Sequence, residues 1–237
     1  LLRKQGLHPK SLRNNLFAIK LYYRYLLETQ QAKKHPCKYL YLKDPINKQI
    51  AVEQLYSPAY LNELYTSWQS KSTKNQTRDK LILSLLIYQA LITSEIVNLK
   101  IKDIKLEDGT IYIPSIGQNR SRTLALNPAQ VFLLIEYLKE RSNTQTASNQ
   151  YLLLNKEKTQ LWTGAINRIL NQNRKPNERI TALKIRQSVI YHLLKQNKDI
   201  RVVQEFAGHK RVSSTESYKQ TGLEELKTAI DKLHPLG

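Results

Sequence analysis

Between Ile180 and Leu194 an apolar helical pattern carries an arginine inside it, and that restricts what can surround the helix. Winding at about 100° per residue places Leu183, Val189, Ile190, Leu193 and Leu194 on one face. Lys184, Ser188, Tyr191 and Lys195 fall on the opposite face. Arg186 lies in the apolar arc, between the directions of Leu193 and Ile190. A guanidinium there must reach an anion or carbonyl groups, because an unpaired buried charge is strongly destabilising. Two surroundings satisfy it: a structural ion pair with a core carboxylate, or a phosphate, which suits its planar bidentate donor geometry.

Gly208 is suited to ending the helix that begins near Asp199, and His209 follows it. Tyr218 stands nine residues after His209, and Arg186 stands 23 residues before it. Alone, a histidine after a helix end is usually a surface residue, and one tyrosine among 14 is usually core or surface. In combination, Arg186, Ala207-Gly208-His209 and Tyr218 resemble the tyrosine recombinases, the phage-integrase family. Its usual pattern is a His-x-x-Arg box, then Leu-Gly-His, then Tyr. The resemblance spans roughly residues 10–237 and implies a mainly α fold with a small antiparallel β-sheet. It implies a catalytic domain at 56–237 preceded by a small helical core-binding domain, a DNA clamp, at 1–50. It further implies a site-specific recombinase, the integrase of a mobile element, that cuts and rejoins DNA through a 3′-phosphotyrosyl intermediate. Carried over by motif, Tyr218 is the nucleophile, Arg186 the second arginine and His209 the histidine of the Leu-Gly-His box. The covalent link preserves the bond energy, so the chemistry needs neither cofactor nor metal.

Three positions depart from that pattern. The family's first arginine sits in a Gly-Leu-Arg-x-x-Glu-Leu box, and the matching run here is Ala90-Leu91-Ile92-Thr93-Ser94-Glu95-Ile96. Ile92 occupies the arginine's place. Leu183 replaces the first histidine of His-x-x-Arg. The family's hairpin lysine falls near Ile116-Gly117, and no lysine occurs between Lys105 and Lys139. Losing a transition-state arginine in phosphoryl transfer costs roughly 10³–10⁵ in rate. Arg120 and Arg122 on the same hairpin are the substitutes for the missing charge, although an arginine is a poor proton donor. Two other readings use the same residues: a catalytically weakened DNA-binding relative, and a relaxase or type IB topoisomerase-like nicking enzyme.

Charge agrees with a nucleic-acid partner. Lys and Arg number 38 against 19 Asp and Glu, a net of +19, which points to a polyanion such as double-stranded DNA. Residues 1–50 hold 11 Lys/Arg and two acidic residues. Lys20, Arg24, Lys33, Lys34, Lys210 and Arg211 are therefore expected DNA contacts. No apolar run approaches the ~18 residues of a membrane span, and the single Cys37 rules out an internal disulfide and fits a reducing cytoplasm. The chain has no methionine, so Leu1 is read as following further N-terminal sequence.

The periodicity predicts a helix over 10–30, with Leu12, Leu16, Ile19, Tyr23 and Leu26 as its stripe and Arg13, Lys20 and Arg24 off it. Residues 31–54 read as a basic linker. Ser57-Pro58 opens a helix to about 69, and another spans about 76–90. Asp108-Gly109 turns a β-hairpin, a strand covers 122–126, and a helix runs from Asn127-Pro128 to about 141. A short strand at 151–154 and a helix at 163–171 precede the Arg186 helix. After Tyr218, Thr221–Glu224 forms a capping box. Leu223, Leu226, Ile230 and Leu233 then make an apolar stripe. That stripe packs on its own core or, as the family implies, docks on a neighbouring subunit of a tetramer on paired sites.

Overall fold

The computed structural model describes residues 5–44, 50–142 and 149–218. Contacts divide the chain into two units, Leu1–Lys48 and Gln49–Gly237. The expected capping box and apolar stripe after Tyr218 lie outside the described residues, as does most of the 142–150 loop.

The first unit is built on one helix, α1 (Pro9–Glu28). Its proline at N1 needs no donor there, and the His8 ring accepts from the Lys10 N–H at 3.2 Å. Leu12 is buried, whereas Ile19 is 41% exposed and does not belong to the packed stripe. Lys20 takes that register instead. Its Nζ donates to the Lys38 carbonyl at 3.1 Å and lies 4.3 Å from the centre of the Tyr41 ring, so its methylenes pack while its charge is partnered. Arg24, Lys33 and Lys34 are exposed.

In the second unit the central element is α3 (Gln76–Tyr88). Leu81, Ile82, Leu83, Leu85 and Leu86 are all fully buried, so this helix is apolar around its circumference and must be enclosed. It is packed by α2 (Pro58–Thr66), α5 (Pro128–Ser142), α6 (Thr163–Leu170) and α7 (Ala182–Lys195). Ser57 caps α2, its hydroxyl accepting from the Tyr60 N–H at 3.1 Å. The short helix α4 (Thr93–Asn98) leads into an antiparallel sheet of β1 (Ile104–Lys105), β2 (Thr110–Ile113) and β3 (Arg122–Ala125), in that spatial order. Gly109 takes φ +59° in the β1–β2 turn, a conformation that favours glycine. Ile111 and Ile113 point into the core while Tyr112 is 43% exposed, the period of two expected of a half-covered strand. Arg122 stands opposite Ile113 in the register.

Three further expectations are corrected. Residues 151–154 form no strand: Tyr151 bridges Lys100 and Leu154 bridges Gln160, two separate partners rather than one ladder. The 31–54 segment is not all linker, because Ile50 and Val52 pack, with Leu55 just beyond it, on a second apolar cluster with Ile190, Tyr191, Leu194, Val203 and Tyr218. On α7, Leu183 is 64% exposed whereas Ser188 and Tyr191 are buried. The helix is covered on more than one side, which its apolar stripe alone does not reveal. Helix α8 (Ile200–Ala207) and residues 213–218 complete the described helices. Of the surroundings expected for Arg186, the structure shows carbonyls.

Ser188 is a buried polar residue with both its bonds made. Its hydroxyl donates to the Lys184 carbonyl at 2.8 Å and accepts from the Tyr56 N–H at 2.8 Å. Ser188→Ala is expected to leave that N–H unmatched and to lower stability by about 1–3 kcal/mol. Urea unfolding followed by circular dichroism reads this, and an unchanged midpoint would contradict it.

Candidate active site

Helix α7 carries Arg186 to a point where two chain turns meet. One is the turn after α3, where Ala90 adopts φ +49°. The other is the end of α8. Arg186, 4% exposed, donates through Nη1 to the Ala90 carbonyl and through Nη2 to the Ala207 carbonyl, the latter at 2.7 Å. Burial pulls its pKa below the ordinary guanidinium value; Glu95 opposes that, Arg122 adds to it, and Tyr218 opposes it. The side chain remains a cation, since arginine does not lose its proton in proteins.

A second guanidinium sits beside the first. Glu95, on the first turn of α4, is fully buried and receives Arg122 Nη1 on Oε1 at 2.7 Å and Nη2 on Oε2 at 3.1 Å. The same carboxylate accepts from Asn119 Nδ2 at 2.9 Å and from the Ile92 N–H at 3.0 Å. Burial pushes the Glu95 pKa up, but the Arg122 hydrogen bond and charge, the Ile92 N–H and Asn119 together hold it below the usual carboxylate value. Arg122 also donates through Nε to the Phe206 carbonyl at 2.7 Å. Two arginines thus hold the last two carbonyls of α8, where the negative end of the helix dipole lies. Gly208 then turns left-handed at φ +70°. A Cβ there would meet Arg122 Nη1 and stand 2.9 Å from Cζ, so only glycine lets the guanidinium approach.

This turn delivers His209 and Tyr218. Their rings stack at 6.4 Å between centres with 19° between planes. His209 Nδ1 is 2.9 Å from the hydroxyl of Thr215, which is fully buried. Burial, with Arg186 and Arg122 nearby, drives the His209 pKa down to about 4, Glu95 opposing. The imidazole is therefore neutral near pH 7. Tyr218 is 7% exposed; burial raises its pKa and Arg186 lowers it. A nearby cation is the physical means of stabilising a phenolate.

The described residues around His209 form an open cleft of 610 Å³ lined by Arg120, Arg201, Glu205, Gly208 and Lys210. Arg120 is exposed and joined to the turn: its N–H donates to the Gly208 carbonyl at 2.8 Å and its Nη2 to the Lys210 carbonyl at 3.1 Å. Lys210 Nζ donates to the Gly117 carbonyl at 2.8 Å. Arg211 is exposed. The two hairpin arginines are placed differently, Arg122 locked on Glu95 and Arg120 at the cleft. Sequence reasoning missed Asn119 and Thr215, and treated Glu95 only as part of a box. Nothing in their local spacing signals partners 24 residues away for Asn119 or 27 for Arg122.

Fold and site together define a tyrosine-recombinase catalytic domain. The profile of the phage integrase family matches residues 57–224, most of the chain and all three of Arg186, His209 and Tyr218, and the chain belongs to that family. Among its relatives, the tyrosine recombinase XerA of Pyrococcus furiosus is 32% identical over 167 residues, which are 69% of this chain and 57% of that one. XerA of Pyrococcus horikoshii is 28% identical over 98% of this chain and 76% of its own length. Among solved structures, the XerH recombinase on a palindromic difH substrate, a post-cleavage complex, superposes with a TM-score of 0.72 at 24% identity, covering 96% of this chain and 68% of that one. The Tn1549 transposon integrase with a circular intermediate DNA gives 0.62 at 16%, covering 96% and 82%.

Removing Arg122 strands a buried carboxylate. Arg122→Ala is expected to lower stability by about 3–5 kcal/mol, while the exposed Arg120→Ala changes it by less than about 0.5 kcal/mol. Equal effects in chemical denaturation would contradict the assignment. His209 sets a pH window. Its folded pKa lies below the unfolded value of about 6.5, so the unfolded chain binds the proton first and stability falls as pH drops from about 6.5 towards the folded value of about 4. His209→Asn is expected to flatten the stability curve across that window; a slope equal to the wild type's would contradict it.

Proposed function

We propose that this chain is a site-specific DNA recombinase that cuts and rejoins double-stranded DNA through a 3′-phosphotyrosyl link to Tyr218. The observation that carries the reading is the stack of Tyr218 on His209 within the field of the buried Arg186, with His209 lining a cleft that also holds Arg120, Arg201 and Lys210. The Tyr218 oxygen attacks phosphorus and the bond to the 5′-oxygen breaks. Arg186 stabilises the growing charge on the non-bridging oxygens, and the neutral His209 hydrogen-bonds the phosphate through its Nε2 side. Arg120, exposed at the cleft, supplies the cation absent at Ile92, and Arg122 acts by positioning Glu95 and the turn at 206–208.

The first unit serves as the other half of a DNA clamp, with Arg24, Lys33 and Lys34 on phosphates and Lys210 and Arg211 extending the contact from the second unit. Lys20 is held by Lys38 and Tyr41 in the free chain and reaches DNA only by leaving them. Exchange between paired sites requires several copies on the DNA, and the single Cys37 suits work in a reducing cytoplasm. Among the described residues no helix is long and apolar enough to cross a membrane. The weakened-relative reading draws on Ile92 and Leu183, neither of which replaces the lost chemistry.

A duplex selected from random sequence by binding, and nicked beside the cleavage position, separates these readings. The full chain is expected to accumulate a covalent adduct on it. Tyr218→Phe loses only a hydroxyl, so DNA affinity should remain within about twofold while the adduct vanishes, as for removal of a nucleophile. Adduct formation by the phenylalanine variant would assign the nucleophile elsewhere. A wild-type chain that binds without ever forming an adduct would support the weakened relative.

A further inference from the structure

Breaking the bond between phosphorus and the 5′-oxygen creates an alkoxide, which needs a proton. The groups at the cleft supply few donors. Arg120 and Arg201 keep their protons. Glu205 brings a negative charge, the wrong sign beside a phosphate. His209 is neutral and has Nδ1 engaged with Thr215. The hairpin between β2 and β3 contains no lysine.

Lys210 fills that gap from another direction. Its ammonium crosses from the turn after α8 to the hairpin and donates to the Gly117 carbonyl at 2.8 Å. Its own carbonyl accepts from Arg120 Nη2 at 3.1 Å, and the neighbouring His209 forms a β-bridge with Asn119. The residue is thus held through both its ammonium and its carbonyl in the lining of the cleft, next to the histidine that stacks on Tyr218. One of its three donors serves Gly117, leaving two for a bound phosphate.

We propose that Lys210 is the catalytic acid of this site, delivering its ammonium proton to the 5′-oxygen that leaves when Tyr218 attacks. The assignment rests on the strand-transfer reading above. In the step, the bond from Tyr218 Oη to phosphorus forms and the bond from phosphorus to O5′ breaks with its electron pair. The phenolic proton passes to water, the Lys210 proton passes to O5′, and the resulting amine is reprotonated from water. The products are a 3′-phosphotyrosyl ester and a 5′-hydroxyl.

The test replaces the bridging 5′-oxygen by sulfur in the nicked, selected duplex, because a thiolate leaves without protonation. With oxygen, Lys210→Ala is expected to form adduct about 10²–10⁴-fold more slowly than wild type, the range for loss of a general acid. With sulfur, it should recover to within about tenfold, the margin left by one lost phosphate contact. Lys210→Arg keeps the charge but not the acidity, so it should behave like the alanine variant on both substrates. Arg120→Ala, lacking charge stabilisation, should stay slow on both. Equal losses on oxygen and sulfur, full oxygen activity in either Lys210 variant, or sulfur rescue of Arg120→Ala alone would each overturn the role of Lys210. If the wild-type chain forms no adduct with either bridge, the strand-transfer reading itself falls, and Lys210 with it.

Discussion

The ion pair between Glu95 and Arg122 is the interaction on which the site's geometry depends. A fully buried carboxylate is costly unless every lone pair is met, and four donors converge on Glu95: two from Arg122, one from Asn119 and the N–H of Ile92. Those donors come from α4, the hairpin and β3, so the pair ties the start of a helix to the far strand of the sheet. Through Nε of Arg122 it also grips the end of α8. The left-handed turn at Gly208, and with it the placing of His209 and Tyr218, follows from that grip. Such a network gives specificity more surely than stability, since its Coulombic gain is set against the desolvation of two charges.

The site's electrostatics follow from how the guanidinium groups are partnered. Arg186 is held by neutral carbonyls, and its charge lowers the pKa of the Tyr218 hydroxyl. Arg122 is matched by a carboxylate, so its charge is largely cancelled locally. Position alone therefore does not decide how much charge an arginine presents to the cleft; its counter-charge does. Arg120, whose guanidinium donates to the Lys210 carbonyl rather than to a carboxylate, retains its charge at the cleft.

Much of this was legible in the chain because it was local. A guanidinium inside the α7 apolar arc foretold a buried, carbonyl- or anion-bound arginine. Ser57-Pro58, Asp108-Gly109 and Gly208 marked helix and turn boundaries through backbone chemistry that one residue determines. What failed to show was set by tertiary cover. Leu183 is apolar yet faces outward, and Ser188 is polar yet buried, because its two hydrogen bonds come from Lys184 and from distant Tyr56. Lys20 displaced Ile19 from the packed side of α1 for a similar reason, its partners lying at Lys38 and Tyr41. The Glu95 pairing and the Thr215 contact to His209 are likewise properties of the folded chain, with no signature in spacing.

Ala90 carries a consequence for how variants of this protein are interpreted. It is a buried alanine in left-handed backbone, a state that costs roughly 1–2 kcal/mol for a residue with a Cβ. The Arg186 bond to its carbonyl helps hold it there. Removing the Arg186 side chain takes away the bond that holds this peptide, two residues before Ile92 and the first turn of α4. A variant at position 186 is therefore expected to change this backbone as well as the charge. Its measured stability then confounds two changes, whereas Tyr218→Phe alters only a hydroxyl.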